Sequence, residues 1–174
     1  MRSALEHFSE LLEYPHGGAG QVRATAEKLL RELEPVGLPA VGVRAFLDRI
    51  AGLSTEMLEE LYSTTFELNP SVHLYAGLIL LGESYKRGAL LVELKEKLTE
   101  NDVQIGTELP DFIPFLLRLL GRLEKRPEDA SELQSYCLLP ALQKIAQGLS
   151  NPENPYSPLL IATRDFLVPT ETHV

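Results

Sequence analysis

The 174-residue sequence contains a single cysteine, Cys137, and only four histidines, scattered at positions 7, 16, 73 and 173. One thiol cannot form an internal disulfide and no His or Cys pair has zinc or haem spacing, so a reducing compartment and no resident metal are expected. Basic residues are also short: 16 Lys plus Arg against 25 Asp plus Glu give a formal charge of -9. That balance disfavours nucleic acid as a partner, because phosphate binding needs a basic footprint. It suits a cationic partner, or does no more than keep a folded chain in solution. Long apolar runs are missing as well. Leu74 to Leu81 spans eight residues, whereas crossing a bilayer takes about 20. That stretch reads as a core helix, and no membrane insertion is expected. Glu6, Glu10 and Glu13 interrupt the N-terminal apolar residues, so a secretory signal is not expected and the cytoplasm is the expected location.

Recognisable catalytic motifs are absent too: no G-x-S-x-G elbow, no phosphate-cradling glycine loop and no H-E-x-x-H pair. No segment alternates apolar and polar residues long enough to argue a half-buried strand, and no repeat of fixed period or low-complexity tract is present.

What the sequence does have is helical periodicity throughout, on ordinary globular values of 44% hydrophobic and 24% charged residues. Leu5, Phe8 and Leu12 recur at i, i+3, i+7 behind a capping-box spacing of Ser3 and Glu6, until Tyr14-Pro15 and Gly17-Gly18 stop them. Val22 to Leu33 and Val43 to Ile50 repeat the pattern, and Ser54 is placed to cap a helix whose stripe is Leu58, Leu61, Tyr62 and Phe66. The spacing predicts a break at Asn69-Pro70, helices over 72–81 and 84–99 joined at Gly82, and another from Pro110 through Leu123. A long helix from about 129 to 147 should kink near Pro140, and a last one should begin near Tyr156. The expectation is a single all-α domain over 1–174, a bundle of about 7–9 helices, with 101–109 as a loop and possible hinge between its halves.

Three clusters are candidates for function, and each has an ordinary structural reading. Tyr62, Phe66 and Tyr75 at helical spacing are core residues or the wall of a peptide groove. Glu83, Arg87 and their neighbours form a charged helix joint, either a solvated turn with local ion pairs or part of a partner surface. Glu108 and Asp111, three apart at a helix start, would cap free N–H groups. A general acid–base pair of a small hydrolase is the alternative chemistry for those two carboxylates.

Several segments together resemble a known family. Leu11-Leu12-Glu13-Tyr14-Pro15, then Leu61 to Pro70 (LYSTTFELNP), Leu74-Tyr75, Gly82-Glu83-Ser84 and Lys86-Arg87-Gly88, then Glu108 to Pro114 (ELPDFIP), and finally Asn154 to Leu159 (NPYSPL) follow in one order. They are similar to the NarJ-type molybdenum-cofactor assembly chaperones of respiratory nitrate reductase, a branch of the TorD/DmsD family of redox-enzyme maturation proteins. The resemblance implies a TorD-like helical fold and a non-catalytic chaperone. Its expected partner is the apo catalytic subunit of a molybdenum oxidoreductase, recognised through an N-terminal twin-arginine signal peptide or its remnant. It further implies no permanently bound cofactor, and help with insertion of molybdopterin guanine dinucleotide into the partner.

Carried over residue by residue, the peptide-binding positions are Tyr62, Phe66, Leu68, Asn69, Tyr75, Glu83, Arg87, Glu108, Asp111 and Phe112. The wider family often has His after the Asp; this chain has Phe112 there, so no role of that His transfers. A helical adaptor without chaperone activity is the competing reading.

Overall fold

The computed structural model describes residues 1–69 and 72–168. Among them it is all-α: α1 (Arg2–Leu11), α2 (Gly18–Leu33), α3 (Leu38–Ile50), α4 (Thr55–Tyr62), α5 (Ala76–Leu81), α6 (Tyr85–Glu100), α7 (Ile113–Arg122), α8 (Pro127–Glu132), α9 (Leu139–Gly148) and α10 (Tyr156–Leu167). None of these helices is long and apolar enough to cross a membrane.

The helix stripes seen in the sequence are the faces that meet. α1 packs on α7 and α2, and α3 packs on α10. Leu5, Phe8, Leu12, Leu29, Phe46, Ile50, Leu58 and Leu116 are fully buried there, and each such side chain stabilises the fold by about 2 kcal/mol through burial. Ser9, buried on the same face of α1, is satisfied because its hydroxyl donates to the Pro114 carbonyl at 2.9 Å. At the α3–α10 crossing Gly42 lets the backbones close: a Cβ there would lie 2.5 Å from the Pro158 carbonyl oxygen.

Local chemistry sets most boundaries. Ser54 caps α4 by accepting the Met57 N–H at 3.2 Å, and Ser84 caps α6 by accepting the Arg87 N–H at 3.3 Å. The expected Ser3–Glu6 capping box does not form. Ser3 lies inside α1 and donates instead to Glu32 of α2 at 2.8 Å, because the helix begins two residues earlier than the motif implies.

Two helices widen into π turns, at Ser63–Glu67 after α4 and at Leu133–Leu138 between α8 and α9. The second explains how one rod runs from Pro127 to Gly148 past Pro140, which lacks the N–H its turn would use. The ladder loosens in the turn before the proline instead of breaking. The first is stitched to the segment before α10: Thr65 donates to the Leu61 carbonyl at 2.7 Å and accepts from Asn154 Nδ2 at 2.8 Å.

Around residue 70 the chain departs from the expected pattern. Of the Asn69-Pro70 break, Pro70 lies outside the described residues. Val72 to Tyr75, expected to be helical, precede α5, and Tyr75 pairs with Phe112 in an isolated antiparallel bridge. Ala76 N–H donates to the Asp111 carbonyl and Ile113 N–H to the Leu74 carbonyl, both at 2.8 Å. These bonds take the place of intrahelical ones, so α5 starts only at Ala76 and α7 only at Ile113.

The two exposed-versus-crowded glycine environments give a paired test. Nothing lies within 4 Å of a Cβ at Gly20, so Gly20→Ala in α2 should raise stability by about 0.5–1 kcal/mol. Gly42→Ala should lower it by about 1–3 kcal/mol; urea denaturation of both variants measures the contrast.

Candidate functional site

The bridge between Leu74–Ala76 and Asp111–Ile113 brings two aromatic groups face to face. On one side Tyr62 packs edge-on against Tyr14, Phe66 and Tyr156, with ring centroids 5.5, 5.1 and 5.8 Å apart. On the other, Phe112 contacts Tyr75 at 5.5 Å and Phe115 at 5.3 Å. Edge-to-face arrays of this kind hold rings in fixed orientation. Tyr62 is anchored further, its hydroxyl donating to the Leu12 carbonyl at 3.0 Å.

Between the groups lies a pocket of about 260 Å³, lined by Tyr14, Tyr62, Phe66, Tyr75, Phe112 and Phe115 with Leu74, Gly106 and Thr107, and with Glu13, Glu67, Glu108 and His16 at its edge. That volume is at the small end for a ligand pocket and suits side chains of a bound segment. Among the described residues three carboxylates line it, and neither Lys nor Arg does. Glu13 is partly offset from behind by Arg118, 2.7 Å away, and Glu108 accepts the Tyr75 hydroxyl proton. Burial and, after it, the carboxylates act on the tyrosines. Burial, then the Glu108 hydrogen bond and the charges on Glu108, Asp111 and Glu67, push the Tyr75 hydroxyl well above the usual phenol range. Tyr62 is raised by burial first, then by Tyr156, Glu67, Glu108 and Glu13.

Behind Phe112 sits an ion pair that shapes the wall. Arg87 and Asp111 are both buried; Arg87 Nε donates to Asp111 Oδ2 at 3.0 Å and Nη2 reaches Oδ1 at 3.4 Å. Arg87 Nη1 also meets Glu83 at 2.9 Å. Burial works against the guanidinium charge, but Asp111 and then Glu83 outweigh it and keep the group more basic than usual. Gly77 makes the room: a Cβ there would lie 2.7 Å from Asp111 Oδ2 and 3.3 Å from Arg87 Cγ.

Five of the ten residues singled out from the sequence, Tyr62, Phe66, Tyr75, Glu108 and Phe112, meet in the pocket. The other five do not line it. Asp111 and Arg87 are supports buried beneath it, Glu83 is exposed and holds Arg87, Leu68 points to solvent at the end of the π turn, and Asn69 is half-buried beyond it. Capping, the simpler reading of Glu108 and Asp111, is not their role: no side chain caps α7, and the two carboxylates bond to Tyr75 and Arg87. They also diverge, one at the pocket and one beneath it, so they do not form an acid–base pair around one site.

Glu13, Tyr14, His16, Glu67 and Phe115 were not among the ten. Glu67 and Phe115 had a signal, since they flank Phe66 and follow Phe112 by one helical turn. Glu13, Tyr14 and His16 arrive from the end of α1, some fifty residues earlier, where only the Tyr-Pro stop marked them.

A family model described as nitrate reductase delta subunit matches residues 22–162. No curated protein matches the chain in sequence. Among solved structures, a protein from Archaeoglobus fulgidus assigned as a redox enzyme maturation protein superposes with a TM-score of 0.63 at 20% identity, covering 96% of this chain and 93% of that one. At that identity the likeness establishes the fold.

Removing one partner of the buried pair should cost far more than removing its exposed neighbour. Asp111→Ala leaves Arg87 uncompensated and should lower unfolding free energy by about 3 kcal/mol, whereas Arg87→Met/Asp111→Leu together should recover most of it. Glu83→Ala should change stability by about 0.5 kcal/mol or less; urea denaturation distinguishes the three.

Proposed function

The chain belongs to the nitrate reductase delta subunit family, and from that premise we propose that it is a maturation chaperone for a respiratory molybdenum oxidoreductase, holding the apo catalytic subunit by its N-terminal peptide. The observation that carries this reading is the aromatic pocket with an acidic edge and, among the described residues, no lining Lys or Arg. An N-terminal signal or remnant offers apolar and aromatic residues beside Arg or Lys. The rings would bury the first, and Glu67 and Glu108 would meet the second by charge-assisted hydrogen bonds, with ring faces adding cation–π attraction. The overall charge of -9 steers such a peptide toward the protein, while most of the affinity comes from apolar burial.

Help with cofactor insertion follows from holding the client open, not from carrying the cofactor. Molybdopterin guanine dinucleotide has an anionic pyrophosphate, and three carboxylates around a small pocket repel it. The proposed work is done in the cytoplasm before the enzyme is targeted or exported. A hydrolase using Glu108 and Asp111 is disfavoured by their divergence, and a plain adaptor by the concave shape of the site.

Calorimetric titration with the N-terminal peptide of the host's own molybdoenzyme catalytic subunit tests the reading. Binding should be micromolar or tighter, about -8 kcal/mol, and Glu67→Lys or Glu108→Lys should weaken it roughly tenfold with the circular dichroism spectrum unchanged. No heat of binding between pH 6 and 8 (roughly the working range of such chains) would remove the proposal. Wild-type affinity in both charge variants would move the site elsewhere.

A further inference from the structure

A second concavity, of about 340 Å³, lies where α5, α6, α7 and the α8–α9 rod meet, and it shares no lining residue with the aromatic pocket. Its walls are aliphatic: Leu80, Leu81, Leu90, Leu94, Leu119 and Leu133. Leu81 is 39% exposed and Tyr136 at the mouth is 80% exposed, so apolar surface reaches the solvent edge. The π turn Leu133–Leu138 forms one side; such turns cost regular hydrogen bonding and recur at functional sites.

Polar groups stand at the edge only. Glu93, Asp129 and Glu132 are there with Lys97. Lys97 is already committed, 3.1 Å from Glu93 and 3.8 Å from Glu132. Arg126 is shared at 3.6 Å by Glu100 and at 3.9 Å by Asp129. Among the described lining residues three carboxylates stand against one cation, and counting Glu100 and Arg126 beyond them leaves four against two, so the edge is acidic. Inside, the Cys137 thiol is buried, and burial pushes it up to about 12, so it stays protonated and behaves as an apolar group. Walls without directional donors or acceptors do not orient a polar small molecule.

We propose that this groove is a second docking site, and that its occupant is an amphipathic helical segment of a partner protein presenting leucine-class side chains flanked by Lys or Arg. The aliphatic floor takes the apolar face, and the acidic edge takes the cations. This assignment is independent of the peptide reading of the aromatic pocket, because the two sites share no residue.

The test uses fluorescence anisotropy with a labelled leucine–lysine amphipathic peptide and its leucine–glutamate counterpart, at ~150 mM salt to screen non-specific attraction. All titrations use full-length protein carrying Glu67→Lys, so that the aromatic pocket's acidic edge does not supply the signal. The leucine–lysine peptide should bind at least ~10-fold tighter than the leucine–glutamate one, and Leu81→Lys should remove about tenfold of that affinity. Glu132→Lys, at a side chain 62% exposed, should do the same and guards against misfolding of the Leu81 variant. Failure of the leucine–lysine peptide to bind, equal binding of both peptides, or indifference to both substitutions would overturn the proposal. So would a concentration-dependent dimer in sedimentation that Leu81→Lys abolishes, since the occupant would then be a second copy of the chain.

Discussion

The buried pair of Arg87 and Asp111 is the contact on which the rest of the site depends. It joins the first turn of α6 to the chain entering α7, with α5 pressed against both through Gly77. Two charges removed from water are stable only when their hydrogen bonds are met, and here three are: two within the pair and one to Glu83. The backbone of Asp111 contributes as well, its carbonyl accepting from Ala76. Tyr75 and Phe112, the neighbours of these bonds, are therefore held opposite each other. The aromatic wall is a consequence of an ion pair beneath it.

The second constraint is the pair of π turns. The second lets a helix continue past Pro140, and the first is the closing turn of its helix, with Thr65 bonded to Asn154. Each also contributes a side to one of the two concavities, Phe66 and Glu67 to the first, Leu133 and Tyr136 to the second. The extra residue in a π turn shifts side chains out of helical register, which is how these groups come to face cavities and not neighbouring helices.

The negative charge is unevenly used. Glu6 and Glu13 are engaged by Arg118 and Arg122 along the α1–α7 seam, where they hold helices together. Around both concavities the lining carboxylates outnumber the lining cations among the described residues, so acidic side chains stand where an apolar surface opens to solvent. Attraction and burial then act on the same ligand, the combination that favours amphipathic basic segments over neutral ones.

Helix class, most helix stops and the cap at Ser54 were legible in the sequence because they rest on neighbours within one turn: periodicity, proline, glycine and a hydroxyl three residues from an N–H. The aromatic segment Tyr62–Phe66 was legible for a similar reason, whereas Tyr75 and Phe112 were singled out with the ordered motifs that pointed to the family. The roles of the charges were not. Asp111 and Glu108 look alike in sequence, yet one is buried against Arg87, 24 residues away, and the other faces Tyr75, 33 residues away. Glu13 reaches the same pocket from the end of α1. Whether a carboxylate supports a wall or faces a ligand depends on which distant side chain meets it and whether water is excluded, and only the packing of α1, α5, α6 and α7 decides that.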